Sequence, residues 1–219
     1  MTVGVRLTLM IFRHCEERSN LKPERYFQHY FKSKNYLWIL FPPAMRKLSM
    51  DDLNRKTTEE FKKASKQPVI VVLDNVRSMN NIGSVFRTAD AFLLEGIYLC
   101  GVTARPPHRE IQKTALGATE TVSWKHFETT MDAVNALKTE GYKIYAVEQA
   151  DKSIMLDEFT PGAGKMALVF GNEVSGVDQA VIDICDACIE IPQYGTKHSL
   201  NLAVSVGIVV WEAVKKLKK

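Results

Sequence analysis

PVIVVLDNVRSMNNIGSVFRTADAFLL, residues 68–94, is the stretch whose reading decides the fold. Residues 68–74 are rich in β-branched apolar residues, which predicts a buried strand. From there the period changes. Ile82, Val85, Phe86, Ala89 and Leu93 recur at helical spacing, which predicts a helix over 80–94 with one apolar face. A buried strand followed by an amphipathic helix is the first half of a β-α-β unit.

Downstream the alternation continues. Residues 96–101 predict a strand, 109–116 a short helix and 121–124 a short strand. A helix over 129–140 is stopped by Gly141, and 143–148 predict a strand. The turn at 161–164 leads into a strand over 165–170. A helix over 178–185, a strand over 187–191 and a last helix over 198–217 complete the pattern. Strands alternating with helices imply right-handed crossovers, hence an α/β fold with a mainly parallel sheet flanked by helices. In such sheets ligands bind at the carboxyl ends of the strands.

Upstream the pattern is different. Residues 1–44 show no sustained period and end at Pro42-Pro43. A clean pattern starts at Met45, with Ser49 as N-cap and Asp51 and Asp52 in the first turn of a helix running to about Ala64. The expected organisation is a non-native or disordered extension over 1–44, a helical segment over 45–66 and the α/β domain over 67–219. Met45 is then the natural start, and a genuine RNA-contacting arm is the alternative for 1–44.

Charge follows the same division. Residues 1–44 hold seven Lys/Arg against three Asp/Glu, whereas residues 45–219 hold 22 of each sign. The body is therefore neutral overall, and its net charge gives no argument for nucleic-acid binding. The four cysteines are Cys15, Cys100, Cys185 and Cys188. Cys185 and Cys188 form a lone C-x-x-C, which lacks the further ligands that tetrahedral zinc needs. Reduced packing cysteines fit a cytoplasmic protein. No apolar run approaches the ~20 residues that span a bilayer, so no membrane partner is expected.

Three segments after predicted strands carry chemistry. The first is residues 80–90, NNIGSVFRTAD, with Asn81 near the helix start and Arg87 inside the helix. The second is residues 170–176, FGNEVSG, with Glu173 between two glycines. The third is residues 191–201, IPQYGTKHSLN, where a strand ends at proline and Ser199 and Asn201 open an apolar helix. Taken singly, each equally suits a structural role: a surface arginine, a turn with a capping glutamate, a capped helix start.

In this order and with this spacing the segments resemble the SpoU/TrmH family of the SPOUT superfamily, the RNA ribose 2′-O-methyltransferases, over about residues 68–217. The resemblance implies a C-terminal deep trefoil knot, S-adenosylmethionine as methyl donor, and a homodimer. By position it puts Gly171, Ile191 and Leu200 at the donor, and Asn81, Arg87, Glu173, Ser199 and Asn201 on functional polar positions. It implies an RNA substrate, with tRNA expected and ribosomal RNA the alternative. A non-catalytic RNA-binding factor of the same fold is the rival class, and retention of Arg87, Glu173 and Asn201 speaks against it. No metal is required. Arg87 is expected to act as a cation rather than a base, and His108 and His198 are alternative proton acceptors.

Overall fold

The computed structural model describes residues 45–49, 51–162 and 164–217. The expectation for residues 1–44 lies outside the described residues. The chain divides into two units, Met1–Arg55 and Lys56–Lys219. In the first, the Asp52 carboxylate accepts from the Ser49 N–H at 2.7 Å and pairs with Arg46 at 2.9 Å, beside a single 3-10 turn at Asp51–Leu53. In the second, Thr57 and Glu60 form a reciprocal capping box that opens α1 (Thr58–Lys63). The continuous helix expected from Ser49 to Ala64 is therefore corrected. Asn54 takes a φ of 44°, which no α-helix accommodates and which asparagine tolerates better than most residues, and Thr57 acts as a fresh N-cap.

The rest of the second unit alternates. Its elements are β1 (Gln67–Asp74), α2 (Met79–Ala91), β2 (Leu94–Cys100), α3 (Arg109–Ala115), α4 (Ala118–Thr121), β3 (Trp124–Phe127) and α5 (Thr130–Thr139). There follow β4 (Lys143–Val147), β5 (Ile154–Met155), β6 (Met166–Phe170), α6 (Gln179–Ile182), β7 (Ala187–Glu190) and α7 (Leu202–Leu217). The seven strands form one sheet in the order β3-β2-β1-β6-β4-β7-β5, and every pairing is parallel.

Both faces of the sheet are covered, and β1 shows how. Val69, Val71 and Leu73 point into one core with Ile82, Val85 and Phe86 of α2, Ile111 of α3 and Val206 of α7. Ile70 and Val72 point into the opposite core with Val134 and Leu137 of α5 and Val181 of α6. The unbroken apolar run at 69–73 is thus the signature of a strand buried on both faces.

Several boundaries differ from the sequence expectation. The helix expected over 178–185 is a single turn, Gln179–Ile182, with Asp178 as its N-cap, and the strand expected from 96 begins at Leu94. The strand expected at 121–124 lies at Trp124–Phe127, because Leu116 and Gly117 take φ of 50° and 88° and restart a helical turn, α4. The Thr121 hydroxyl donates to the Ala118 carbonyl at 3.1 Å and so belongs to that turn. The helix expected to reach Leu94 stops at Ala91: Leu93 adopts φ 55°, and Leu94 already pairs with Gln67. The last helix, expected from His198, begins at Leu202.

Candidate active site

Parallel pairing fixes where the loops leave. Leu73 of β1 lies opposite Phe170 of β6, and Val147 of β4 is also opposite Phe170. The loops after β1, β6 and β4 therefore emerge side by side at the carboxyl edge. Asp74, the last residue of β1, is 2% exposed. Its carboxylate accepts from the Thr130 hydroxyl at 2.5 Å, the Asn75 amide at 2.9 Å and the Asp178 N–H at 3.0 Å. It thereby ties the end of β1 to the chain that follows the FGNEVSG segment.

That segment is a tight turn. Asn172 and Gly176 exchange two backbone hydrogen bonds, at 3.0 and 2.9 Å. The Asn172 side chain accepts from the Val174 N–H at 2.8 Å and donates to the Asn75 carbonyl at 2.7 Å. A Cβ on Gly171 would lie 2.0 Å from the Gly176 carbonyl carbon and 2.1 Å from the Val177 nitrogen, so only glycine lets the turn close on itself.

Glu173, at the tip of the turn, reaches across to the loop after β1. Its carboxylate accepts from the backbone N–H groups of Arg77 at 3.2 Å and Ser78 at 3.1 Å, and from the Asn81 side chain at 3.1 Å. Partial desolvation opposes ionisation, yet the backbone donors and the Asn81 amide outweigh it and hold the carboxyl below the usual glutamate range. Asn81 then accepts, through Oδ1, from the Asn201 amide at 3.1 Å. Asn201 in turn accepts from the Ala203 and Val204 N–H groups at 2.9 and 3.4 Å, capping α7. The polarity of this relay is set at both ends. A carboxylate can only accept and a helix N-terminus can only donate, so both amides have one orientation.

Asn81 is therefore not the cap of its helix. Ser78 fills that role, its hydroxyl accepting from the Asn81 N–H at 3.3 Å. The serine frees the asparagine side chain to join the other two segments.

Beside the relay opens a cleft of about 610 Å³ over the ends of β4, β6 and β7. Gly171, Ile191 and Leu200 line it, as do Glu173, Ser199 and Asn201. Of the residues expected at the site, the structure thus gathers seven: these six and Asn81. Arg87 stands apart. It is exposed on α2, about 9 Å along the axis from Asn81 at 1.5 Å per residue, and it does not line the cleft. His108 accepts from the Glu110 N–H at 3.2 Å as the cap of α3, which accounts for it structurally. His198 lines the cleft, and its carbonyl accepts from the Gln149 side chain at 3.0 Å.

Sequence reasoning passed over Glu148 and Gln149. Both line the cleft, and Glu148 accepts from the Val177 and Gln149 N–H groups at 3.1 and 2.9 Å. Their signal was position, since polar residues directly after a buried strand sit where α/β sheets bind ligands. Among the described residues, no group of three or more His, Cys, Asp or Glu could hold a metal ion, and no helix is long and apolar enough to cross a membrane. Cys100 and Cys185 are thiols that burial pushes up to about 12, which keeps them protonated and unreactive at neutral pH.

Known proteins resemble this chain in sequence and fold. A tRNA (guanosine(18)-2'-O)-methyltransferase of Borreliella burgdorferi is 28% identical over 148 residues, 68% of this chain and 66% of that protein. A 23S rRNA (guanosine-2'-O-)-methyltransferase of Vibrio cholerae is 29% identical over 165 residues, 75% of this chain and 66% of that protein. This chain therefore spans just under two thirds of the length of each. Among solved structures, the AdoMet-bound rRNA methyltransferase of Sinorhizobium meliloti superposes with a TM-score of 0.66 at 30% identity, covering 70% of this chain and 58% of that one. The profile of the SpoU rRNA Methylase family matches residues 68–211, a span that contains all three segments, and the chain belongs to that family.

Proposed function

We propose that this protein transfers a methyl group from S-adenosylmethionine to a ribose 2′-hydroxyl of RNA, with tRNA as the first substrate to test and ribosomal RNA the second. The relay Glu173–Asn81–Asn201 carries this reading. It joins three segments, up to 120 residues apart, at the lip of one cleft. The names of the relatives support the reaction, one being assigned to tRNA and one to 23S rRNA. The reading places the protein in the cytoplasm, with its RNA.

The cleft fits the donor in size and chemistry. Its volume lies within the ~300–1,000 Å³ range of small-molecule sites. Val147, Phe170, Ile189 and Leu202 bring apolar side chains to the lining, and Gln149, Asn172, Glu190 and Gln193 bring polar ones. When bound there, S-adenosylmethionine supplies an electrophilic methyl group.

The chain's own residues do the rest. Glu173 is already engaged by three donors and held in its ionised form, so it organises the site and does not take up the ribose proton. Asn201, bonded to Asn81 and capping α7, fixes the segment that passes Leu200 along the cleft, and Ser199 lines the cleft beside it. Arg87 acts as a cation that stabilises developing charge on the 2′-oxygen and grips an adjacent phosphate. A guanidinium does not give up its proton near neutral pH, which makes an arginine a poor base.

Arg87 reaches a cleft through dimerisation. Val204, Ile208 and Trp211 recur at i, i+4 and i+7 on α7 and are 50%, 38% and 58% exposed. Such a stripe is an interface in waiting. Phe92, just past α2, meets Trp211 edge-on at 6.0 Å, so a second copy covering the stripe also abuts the end of α2. We read residues 67–219 as the catalytic domain, preceded by a helical segment over 45–66. The strand order β1-β6-β4-β7, with β6 inserted between strands formed earlier in the chain, supports a C-terminal knot.

Replacing Arg87 by alanine is expected to abolish methyl transfer to RNA while leaving donor affinity, measured by calorimetry, within about twofold. Turnover close to wild type would sink the assignment. Mapping ribose methylation in RNA from a deletion strain identifies the substrate.

A further inference from the structure

The neutral body hides an uneven distribution of arginine. Residues 56–217 contain four arginines, Arg77, Arg87, Arg105 and Arg109, all within 33 consecutive positions. All four are exposed, and none forms an ion pair among the described residues. Lys113, Lys143, Lys215 and Lys216, by contrast, each hold a carboxylate within 3.2 Å.

The fold brings three of them to one edge. Asp74 of β1 pairs with Cys100 of β2, so the loops over 75–78 and 101–108 leave the sheet side by side. Four hydrogen bonds knit these loops together. The Asn75 N–H donates to the Cys100 carbonyl at 3.3 Å and the Val102 N–H to the Asn75 side chain at 3.2 Å. The Val76 N–H donates to the Thr103 hydroxyl at 2.9 Å, and that hydroxyl donates to the Leu73 carbonyl at 3.2 Å. Arg77 and Arg105 stand on this platform, and neither loop contains an acidic residue. Arg109 opens α3, which is locked against α2 by the Thr114 hydroxyl donating to the Asn80 carbonyl at 3.0 Å.

The platform adjoins the cleft directly. The Arg77 N–H is itself bonded to Glu173, and β1 lies next to β6 in the sheet. We infer that Arg77, Arg105 and Arg109 form a track for the RNA sugar-phosphate backbone, running over the β2–β1 edge to the cleft. Three guanidinium groups that pair with no carboxylate among the described residues suit a polyanion, because each offers a planar donor fork to a phosphate. The track fixes the register of the RNA and does not read its sequence. It supplies the local patch that a neutral body needs. The inference rests on the RNA methyltransferase reading above.

The test is the double variant Arg105→Ala/Arg109→Ala against the wild-type chain. KM for RNA and RNA affinity are measured at several salt concentrations, with calorimetric donor affinity as the control for folding. The double variant is expected to raise KM for RNA roughly 10- to 30-fold near 0.15 M salt and to lower the salt slope of RNA binding by about 1.5–2. Unchanged KM and slope in the double variant, with an active wild type, overturn the track alone. A wild-type chain that binds donor but methylates no RNA overturns the methyltransferase reading and the track with it.

Discussion

At Asn81 a single nitrogen-for-oxygen exchange tests the relay. The amide donates to Glu173 at 3.1 Å and accepts from Asn201. Asn81→Asp keeps the shape but sets one carboxylate against another, and like charges at that distance cannot both ionise cheaply. Asn81→Ala merely removes the bridge. Above neutral pH the aspartate variant is expected to be less stable than the alanine variant by about 1–2 kcal/mol, a figure reduced for partial exposure. The wild-type trend has the opposite sense. The folded-state pKa of Glu173 is depressed, so its contribution is complete above the ordinary glutamate range and is lost as pH falls through the folded value. Acidification should therefore weaken the wild type and narrow the deficit of the aspartate variant. Thermal melts of the three proteins between pH 3.5 and 8 decide it, and parallel curves would dismiss the relay as an energetic unit. The residue identities here were legible from sequence, but their partners were not. Local sequence cannot show that Ser78 takes the cap and leaves the Asn81 amide for contacts 92 and 120 residues away.

Among the elements, those with a visible period or apolar run were readable, the short β7 included, and α4 and β5 were not. β1 and α2 are set by runs of apolar side chains at periods that sequence displays. α4 and β5 have four and two residues, too few to show a period, and depend on Gly117 turning the chain and on β7 offering an edge. The turn after β6 is intermediate, its glycines visible but its closure not. Gly171→Ala tests that closure. The added Cβ would meet the backbone of Gly176 and Val177, which cannot swing aside as a side chain can. The turn must open, breaking the paired bonds between Asn172 and Gly176 and moving one wall of the cleft. Overpacking of this kind costs about 1–3 kcal/mol. A fall of several degrees in melting temperature and at least a tenfold loss of donor affinity are expected. Normal donor binding by this variant would remove the turn from the donor site.

For the whole molecule, strand order decides what sequence leaves open. Strand and helix alternation gives a parallel sheet, but not the placing of β6 between β1 and β4. That pairing is settled by contacts across nearly 100 residues. The same gap hid the arginine platform, since positions 77, 105 and 109 share nothing until β1 pairs with β2. Assembly is the next level of the same problem. A helix whose inner face carries Val206, Val209, Val210 and Ala213 in the core should be polar outside, yet α7 shows Val204, Ile208 and Trp211 to solvent. Burying that stripe against a second copy removes apolar surface on both, at roughly 25 cal/mol per Å². Ile208→Glu places a charge in the middle of the stripe. In a symmetric interface the charge enters twice, so the dissociation constant should rise at least 100-fold, equivalent to about 3 kcal/mol. Sedimentation velocity at micromolar protein is expected to show a dimer for the wild type and a monomer for Ile208→Glu. The variant lies outside the cleft lining, so each monomer should keep its fold. Because Arg87 is proposed to reach a cleft only in the assembled pair, the monomer should lose methyl transfer out of proportion to any loss of donor affinity. A monomeric wild type, or a monomeric variant with full activity, would return the stripe to plain surface and Arg87 to its own subunit.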